Sequence, residues 1–274
     1  MISWVAERAL AARNVARVIV ATDDVRIVDA VRSAGCEAVM TRGDHASGTD
    51  RLAEVAATLD DAQIIVNLQG DEPLISPQTI DRAIEALADE GPGGQSDAVT
   101  RGRGDAGTRS EGDADKGSLG DVGIVTTWEA IGYVADVLNP DVVKIVVNGS
   151  GRALYFSRSP VPYPREAVRR HATIEAALRN EPGLLGQFRK HAGLYVYRKE
   201  VLLEFTKWPQ SELERAESLE QLRALEHGVK IKAIEASSLS IGVDTKEDLE
   251  RVRTSIQKDH LEFAVERFKS RLGS

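Results

Sequence analysis

The chain has 274 residues, of which 42% are hydrophobic and 28% are charged, and its formal net charge at pH 7 is −8. That length allows one large α/β domain or two small ones, and the acidic balance argues against a nucleic-acid-binding surface. Cys36 is the single cysteine, which fits a reducing cytoplasm. The sequence has no run of 18 apolar residues and no signal-peptide pattern, so the protein is expected to be cytoplasmic and not to associate with a membrane.

Strands and helices alternate through residues 1–90. Apolar runs typical of buried strands fall at 15–21, 36–40 and 63–68, and patterns typical of helices fall at 1–13, 22–35, 51–59 and 76–90. Apolar strands that alternate with helices favour a parallel sheet that is covered on both faces.

Residues 91–120 break this pattern, because nine of the thirty are glycine and few are large and apolar. Such a segment cannot bury enough surface to offset the entropy of ordering it, which predicts a disordered insertion. A mobile lid over a binding site is the alternative.

Regular structure is predicted again after the insertion. Strands are expected at 141–147, 152–157, 193–198 and 230–236, with the first two joined as a hairpin, and long helices at 211–227 and 245–270.

The stretch IIVNLQGDEPLI, residues 64–75, places Asp71 and Glu72 where the chain leaves a buried strand. Ligands bind beyond the carboxyl ends of strands in open α/β sheets, and an aspartate there suits a hard cation such as Mg²⁺. Asp244 lies at a second strand-to-helix junction, so Asp71 and Asp244 are candidate ligands of one Mg²⁺. The alternatives are a plain turn at Asp71 and a helix cap at Asp244.

The loop MTRGDHASGTDR, residues 40–51, also follows a predicted strand. Arg42 could meet a phosphate or carbonyl oxygen there, and hydroxyl groups such as that of Ser47 could read the edge of a base. A solvated loop in which Thr49 caps the next helix is the alternative.

A further group of polar residues lies in the second half of the chain. Arg158 stands in the proline-rich stretch YFSRSPVPYPR and suits a carboxylate ligand, and RKHAGLYVYR adds His191 and Tyr195. The predicted helix 211–227 places Glu214 and Glu217 on one face, either as solvated surface or as acceptors for the hydroxyls of a sugar.

Taken together, these residues resemble one known family, the 3-deoxy-manno-octulosonate (Kdo) cytidylyltransferases, or CMP-Kdo synthetases. The resemblance covers nearly the whole chain except the insertion and the C-terminal end. It rests on stretches that occur in the family's order: VIVATDD, MTRGDHASGTDRLAE, VNLQGDEPLI, NPDVVKIVV, ALYFSRSPVPY, KHAGLYVYR, SLEQLRALEHG and GVDTKEDLERV.

The resemblance implies a single α/β domain over residues 1–274, with a Rossmann-like mixed sheet of the nucleotide-diphospho-sugar transferase type and a smaller lobe for sugar binding and homodimer formation. It implies that the anomeric hydroxyl of Kdo attacks the α-phosphate of CTP, which yields CMP-Kdo and pyrophosphate for lipopolysaccharide synthesis. The roles that it implies are catalytic metal binding for Asp71 and Asp244, nucleotide binding for Arg42, Ser47 and Gln69, and Kdo binding for Arg158, His191, Tyr195 and Glu217.

The chain departs from the family pattern at its start. Met1–Trp4 corresponds to the beginning of a helix, and the family's preceding strand and phosphate-binding loop, which resemble IPARxxSxRxPGKPL, are not found. Two explanations are open: an N-terminal truncation caused by a start codon assigned too late, or a relative that has lost activity.

Two rival functions also remain open at this point. One is an enzyme of the same fold that acts on another sugar acid, such as sialate, and the other is a non-catalytic nucleotide-binding or dimerising module. A dehydrogenase is excluded, because no G-x-G-x-x-G lies between a strand and a helix in the first half of the chain.

Overall fold

The computed structural model describes residues 1–33, 35–90, 122–238, 242–243, 246, 248–250 and 252–254. The insertion predicted at 91–120, most of the helix predicted at 245–270 and the candidate ligand Asp244 therefore lie outside the described residues. Within them, residues 248–250 and 252–254 are helical.

Helices and strands alternate in the first part of the chain, as the sequence predicts. They are α1 (Ile2–Leu10), β1 (Ile19–Thr22), α2 (Val25–Ser33), β2 (Glu37–Met40), α3 (Gly48–Ala56), β3 (Ile64–Asn67) and α4 (Pro77–Ala88).

The second part begins with a long strand and contains several short helices that the sequence patterns do not predict. The elements are β4 (Val122–Ala130), α5 (Val134–Leu138), β5 (Lys144–Val147), β6 (Ala153–Ser157), α6 (Arg165–His171), α7 (Ile174–Asn180), a 3-10 helix (Pro182–Gln187), β7 (Arg189–Arg198), α8 (Lys199–Phe205), α9 (Glu212–Glu217), α10 (Gln221–Glu226) and β8 (Lys230–Glu235).

The strands form two separate sheets. β1 and β2 make a parallel pair, and the other six strands form a mixed sheet in the order β6-β5-β7-β4-β8, with β3 also paired to β7. The mixed α/β sheet is thus confirmed. The expectation of a parallel arrangement is wrong for β3, because β7 runs antiparallel to β3 as well as to β4 and β5.

β7 carries two of the predicted site residues, His191 and Tyr195, and is both central and irregular. One of its edges pairs with β5 near its start, at Lys190, and with β3 at its end, from Tyr195 onward. On the other edge the register shifts, since Thr126 of β4 faces Tyr195 while Thr127 faces Ala192. Residues 193–194 therefore form a bulge, which turns the neighbouring side chains toward the end of the sheet.

Alternation along β7 builds hydrophobic cores on both faces of the large sheet. Tyr195 and Tyr197 join a core with α3, α8 and α10, whereas Leu194 and Val196 join a second core with α4. This three-layer arrangement explains why the strands read as continuous apolar runs.

The prediction of one helix over 211–227 is wrong, because the helix is interrupted at Ser218, whose backbone is left-handed with φ 52°. A capping box between Ser211 and Glu214 starts α9, and Leu219 enters the core after the break. Glu214 is buried and Glu217 is the last residue of α9, so the two do not form one exposed acidic face.

A cavity of about 1020 Å³ borders both sheets. Its wall is formed by one face of α1, by β1 and by the end of β3, so the two sheets meet across open space at this point. None of the helices in the described ranges is long and apolar enough to cross a membrane.

Candidate active site

The loop after β3 carries a buried carboxylate oxygen that has no hydrogen-bond partner. Asp71 Oδ1 is fully enclosed, and no donor reaches it within the described residues. The backbone N–H of Val243 donates to the Asp71 carbonyl at 2.9 Å, which brings the segment just before Asp244 to this loop. A buried, unpaired carboxylate oxygen costs free energy unless a cation or donor joins it, so Asp71 fits a metal ligand.

Glu72 lies beside Asp71 and packs over the bulge of β7. Its Oε1 accepts a hydrogen bond from the Gly193 N–H at 3.3 Å, because the bulge leaves that N–H outside the strand ladder. Burial raises the pKa of the Glu72 carboxyl to about 7, the charge of Asp71 adds to the rise, and the Gly193 N–H opposes it.

His191 is held as a neutral ring. Its Nε2 lies 2.8 Å from the hydroxyl of Thr126, and that hydroxyl donates its single proton to the carbonyl of Leu194 at 2.8 Å. Nε2 therefore donates to Thr126, which leaves Nδ1 as a hydrogen-bond acceptor. Burial lowers the pKa of His191 to about 3, with a smaller contribution from the charge of Lys190.

Tyr195 follows the bulge on the same strand as His191. The rings of the two residues lie 5.2 Å apart between centroids, and Tyr195 also stacks against Tyr197 at 5.9 Å. Burial raises the pKa of the Tyr195 hydroxyl, so it stays protonated and can donate a hydrogen bond.

Arg158 and Glu217 are brought together by the break after α9. The Arg158 N–H donates to Glu217 Oε2 at 2.8 Å, and its Nε donates to the Glu217 carbonyl at 2.7 Å. Glu217 Oε1 accepts a further hydrogen bond from the hydroxyl of Ser157 at 2.7 Å. The carboxylate of Glu217 therefore serves to fix Arg158 and the end of β6.

Two of the predicted nucleotide-binding residues do not face the cavity. The side chain of Arg42 is 68% exposed and lies 3.4 Å from Glu54 and 3.8 Å from Asp44. Ser47 caps α3, since its hydroxyl accepts from the Asp50 N–H at 3.2 Å. The neighbouring acids hold Arg42 in the solvated loop, as in the alternative left open for this segment, but the helix cap is Ser47 and not Thr49.

Gln69 and Tyr195 are the predicted site residues that line the cavity. Thr49 and Glu220, which are not among the predicted site residues, also line it, and the Thr49 hydroxyl donates to Glu220 Oε2 at 2.6 Å. Hydroxyl, amide and carboxylate groups thus lie around an otherwise largely apolar wall, as is common for small-molecule sites.

Sequence reasoning also missed Thr126 and the role of Gly193. A glycine inside the apolar run KHAGLYVYR is a signal for a bulge, whereas nothing marks Thr126, whose position depends on the pairing of β4 with β7. No group of three or more His, Cys, Asp or Glu side chains that could hold a metal is found in the part of the chain that the structure describes.

Comparison with solved structures places this fold in a class. The structure of CMP:2-keto-3-deoxy-manno-octonic acid synthetase in complex with CTP is similar, with a TM-score of 0.73, 37% identity, and coverage of 94% of this chain and 88% of that one. The 4-diphosphocytidyl-2C-methyl-D-erythritol synthase of Anaerococcus prevotii shares the fold alone, with a TM-score of 0.52 and 11% identity over 93% of this chain and 85% of that one. The protein is an α/β nucleotidyltransferase.

Comparison of sequences identifies the family within that class. A family model described as cytidylyltransferase matches residues 1–231. The 3-deoxy-manno-octulosonate cytidylyltransferase of Syntrophotalea carbinolica is 44% identical over 94% of this chain and 88% of the relative, and that of Geobacter sulfurreducens is 45% identical over 92% and 87%. The chain belongs to the cytidylyltransferase family.

Proposed function

We propose that the protein transfers the cytidylyl group of CTP to Kdo, which gives CMP-Kdo and pyrophosphate. The anomeric oxygen of Kdo forms a bond to the α-phosphorus while the bond to the pyrophosphate leaving group breaks. The observation that carries the proposal is the similarity to Kdo cytidylyltransferases over more than nine-tenths of the chain. Lipopolysaccharide synthesis in the cytoplasm is the corresponding physiological setting.

The proposal assigns Mg²⁺ to Asp71 and Asp244. The unpaired, buried Oδ1 of Asp71 supports it, as does the hydrogen bond from Val243, the residue before Asp244, to the Asp71 backbone. When bound, Mg²⁺ would neutralise phosphate charge, which is the main requirement of nucleotidyl transfer. Glu72 remains beside Asp71 as the group that fixes this loop to β7 through Gly193.

The sugar acid is assigned to the residues around β6 and β7. The guanidinium of Arg158 has N–H groups beyond those that bind backbone carbonyls, and these suit the Kdo carboxylate. His191 Nδ1 is an acceptor and the Tyr195 hydroxyl a donor, which suits sugar hydroxyls. Glu217 acts in this arrangement through its hydrogen bonds to Arg158.

The nucleotide is assigned to the cavity beside Gln69. The loop with Arg42 and Ser47 borders α3, whose first residues line the same cavity, and this proximity supports their role in nucleotide binding. Arg42 would have to leave Glu54 to reach a phosphate.

We further propose that the protein forms a homodimer. Leu154 of β6 and Tyr163 are 58% and 61% exposed, and an interface would cover such apolar groups. The net charge of −8 supports partners other than nucleic acid.

The experiment that tests the function is pyrophosphate release from CTP, Mg²⁺ and Kdo, with sialate as the competing sugar acid. This chain is compared with a version extended upstream in its reading frame. Turnover with Kdo but not sialate supports the proposal, and turnover with sialate alone overturns it. Binding of CTP without turnover in both versions would favour the non-catalytic rival.

The metal assignment has its own test. Asp71→Asn and Asp244→Asn should each abolish Mg²⁺-dependent pyrophosphate release while the melting temperature stays close to that of the parent protein. Asp60→Asn, at an exposed position outside the site, is the control. Full activity in either site variant would remove that residue from the metal site.

A further inference from the structure

Lys144 is a charged residue in the middle of the fold. It is the first residue of β5 and is 0% exposed. Its Nζ donates to the carbonyls of Asn139 and Val142, at 2.8 and 2.5 Å. Burial and the nearby charge of Arg158 lower the pKa of Lys144, and the carboxylate of Glu217 opposes them.

The two carbonyls belong to the short connection between α5 and β5, residues 139–143, which we call the α5–β5 loop. A third carbonyl of this loop, that of Pro140, accepts a hydrogen bond from Nη1 of Arg158 at 3.0 Å. The loop is therefore held by hydrogen bonds from both the ammonium of Lys144 and the guanidinium of Arg158.

The α5–β5 loop is one of two supports of the Arg158 side chain. The other is the end of α9, where Nε donates to the carbonyl of Glu217 at 2.7 Å and Nη2 donates to that of Ser218 at 3.4 Å. A guanidinium has five N–H donors, and these contacts engage one donor on each nitrogen. The remaining donors point in a direction that depends on both supports.

We propose that Lys144 is a positioning residue for Arg158: it holds the α5–β5 loop in the shape that aims the Arg158 guanidinium at the carboxylate of the sugar-acid substrate. This inference rests on the proposed function for the identity of the substrate. A lysine is suited to the task because its ammonium carries three donors and can hold two carbonyls of one loop at once.

The first test replaces the ammonium but keeps the unbranched side chain. Lys144→Met should raise the KM for Kdo about tenfold to a hundredfold, since small displacements of an orienting group have effects of this size, and should leave the Kd of CTP unchanged. Lys199→Met is the matched control, because Lys199 also donates to a backbone carbonyl, that of Leu59 at 2.5 Å, in another part of the fold. The control should lose stability but keep both constants.

The second test reads the loop directly and does not depend on Kdo. A crystal structure of Lys144→Met should show the α5–β5 loop displaced and the contact between Arg158 and Pro140 lost. If wild-type protein binds CTP but not Kdo, the proposed function fails, and this structure alone then decides whether Lys144 positions Arg158. An unchanged loop, or a KM for Kdo equal to that of the parent protein, would overturn the inference.

A third variant covers the case in which Lys144→Met does not fold. Lys144→Arg keeps the charge, but its larger planar group must move the carbonyls of Asn139 and Val142. We expect a raised KM for Kdo with CTP binding unchanged. A displaced loop with an unchanged KM would count against the inference.

Discussion

Gly193 stands where β7 changes its partner from β5 to β3, and the lack of a side chain there decides how closely the Asp71 loop approaches the strand. A Cβ at this position would lie 2.8 Å from Glu72 Oε1 and 3.0 Å from Gln69 Nε2. Both atoms are at the ends of flexible side chains, so the loop can yield without unfolding the sheet. The residue thus controls site geometry more than stability.

Gly193→Ala should therefore reduce kcat/KM about tenfold to a hundredfold, because Gln69 and Glu72 must shift. The free energy of unfolding should fall by about 1 kcal/mol, as for mild overpacking. Steady-state kinetics and urea unfolding measure the two effects. Gly132→Ala, where nothing lies within 4 Å of the added Cβ, is the control and should match the parent protein. Equal losses in both variants would refute the assignment.

Burial of His191 makes the free energy of unfolding depend on pH. Its pKa in the folded protein is lowered to about 3, whereas an unfolded histidine titrates near pH 6.5. Between these two pH values the histidine binds a proton in the unfolded chain but not in the native protein. The contribution of the buried neutral ring to the free energy of unfolding is therefore fully present above about pH 6.5 and is lost as the pH falls.

We expect wild-type protein to lose stability relative to His191→Gln on acidification, by at most about 1.4 kcal/mol for each pH unit below about 6.5. Urea unfolding of the two proteins between pH 4.5 and pH 8, a range set by the two pKa values, measures the difference. A constant difference across this range would show that the buried ring takes up a proton in the native state.

Two turns in the part of the chain that the structure describes have a positive φ at a residue other than glycine. Ala172 ends α6 with φ 69° and is exposed, and Ser218 separates α9 from α10 with φ 52°. Residues with a Cβ adopt this region at a cost in free energy. At Ser218 the strain accompanies the helix break next to Glu217, which contacts Arg158.

Ala172→Gly should accordingly stabilise the protein by about 1 kcal/mol and raise its melting temperature by about 2 to 4 °C. Ala11→Gly is the matched control, because Ala11 ends α1 with an ordinary helical φ of −80° and is also exposed. The control should lose stability. Calorimetry measures both, and destabilisation by Ala172→Gly would contradict the account.

Sequence patterns predict correctly those elements whose signal is local. The periodic elements of residues 1–90 and the hairpin of β5 and β6 are confirmed, because each has its own local pattern. The break at Ser218 has no such pattern, since the apolar spacing continues through it. The antiparallel direction of β7 likewise depends on connections that no single segment encodes.

The candidate site likewise combines residues that have a local sequence pattern with residues whose position depends on tertiary structure. Arg158 and Glu217 are brought into contact, and Gln69 and Tyr195 line one cavity. Lys144 could not be found, because a lysine in the run VVKIVV is expected to point toward solvent, and its burial depends on the fold around the α5–β5 loop.

For the whole molecule, the division into two sheets predicts unequal local stability. β1 has a single strand partner among the described residues, whereas β7 is paired along both edges. A two-stranded sheet is only marginally stable without further packing, so β1 and β2 should open before the large sheet.

Hydrogen exchange measured by mass spectrometry should show the amides of Ile19–Thr22 exchanging well before those of Leu194–Tyr197. Binding of CTP in the adjoining cavity should slow exchange in β1, because the ligand binds only the closed state. Equal protection of the two strands in the free protein would mean that the sheets unfold as one unit.

The cavity between the sheets also has a bearing on how the protein behaves in concentrated solution. Along it, β1 and β3 each present a row of backbone groups that no strand pairs within the described residues. Such rows are templates on which one molecule can add a strand to another. These unpaired strand edges therefore favour association between molecules in concentrated solution. Electrostatic repulsion between molecules that each carry a net charge of −8 opposes this association.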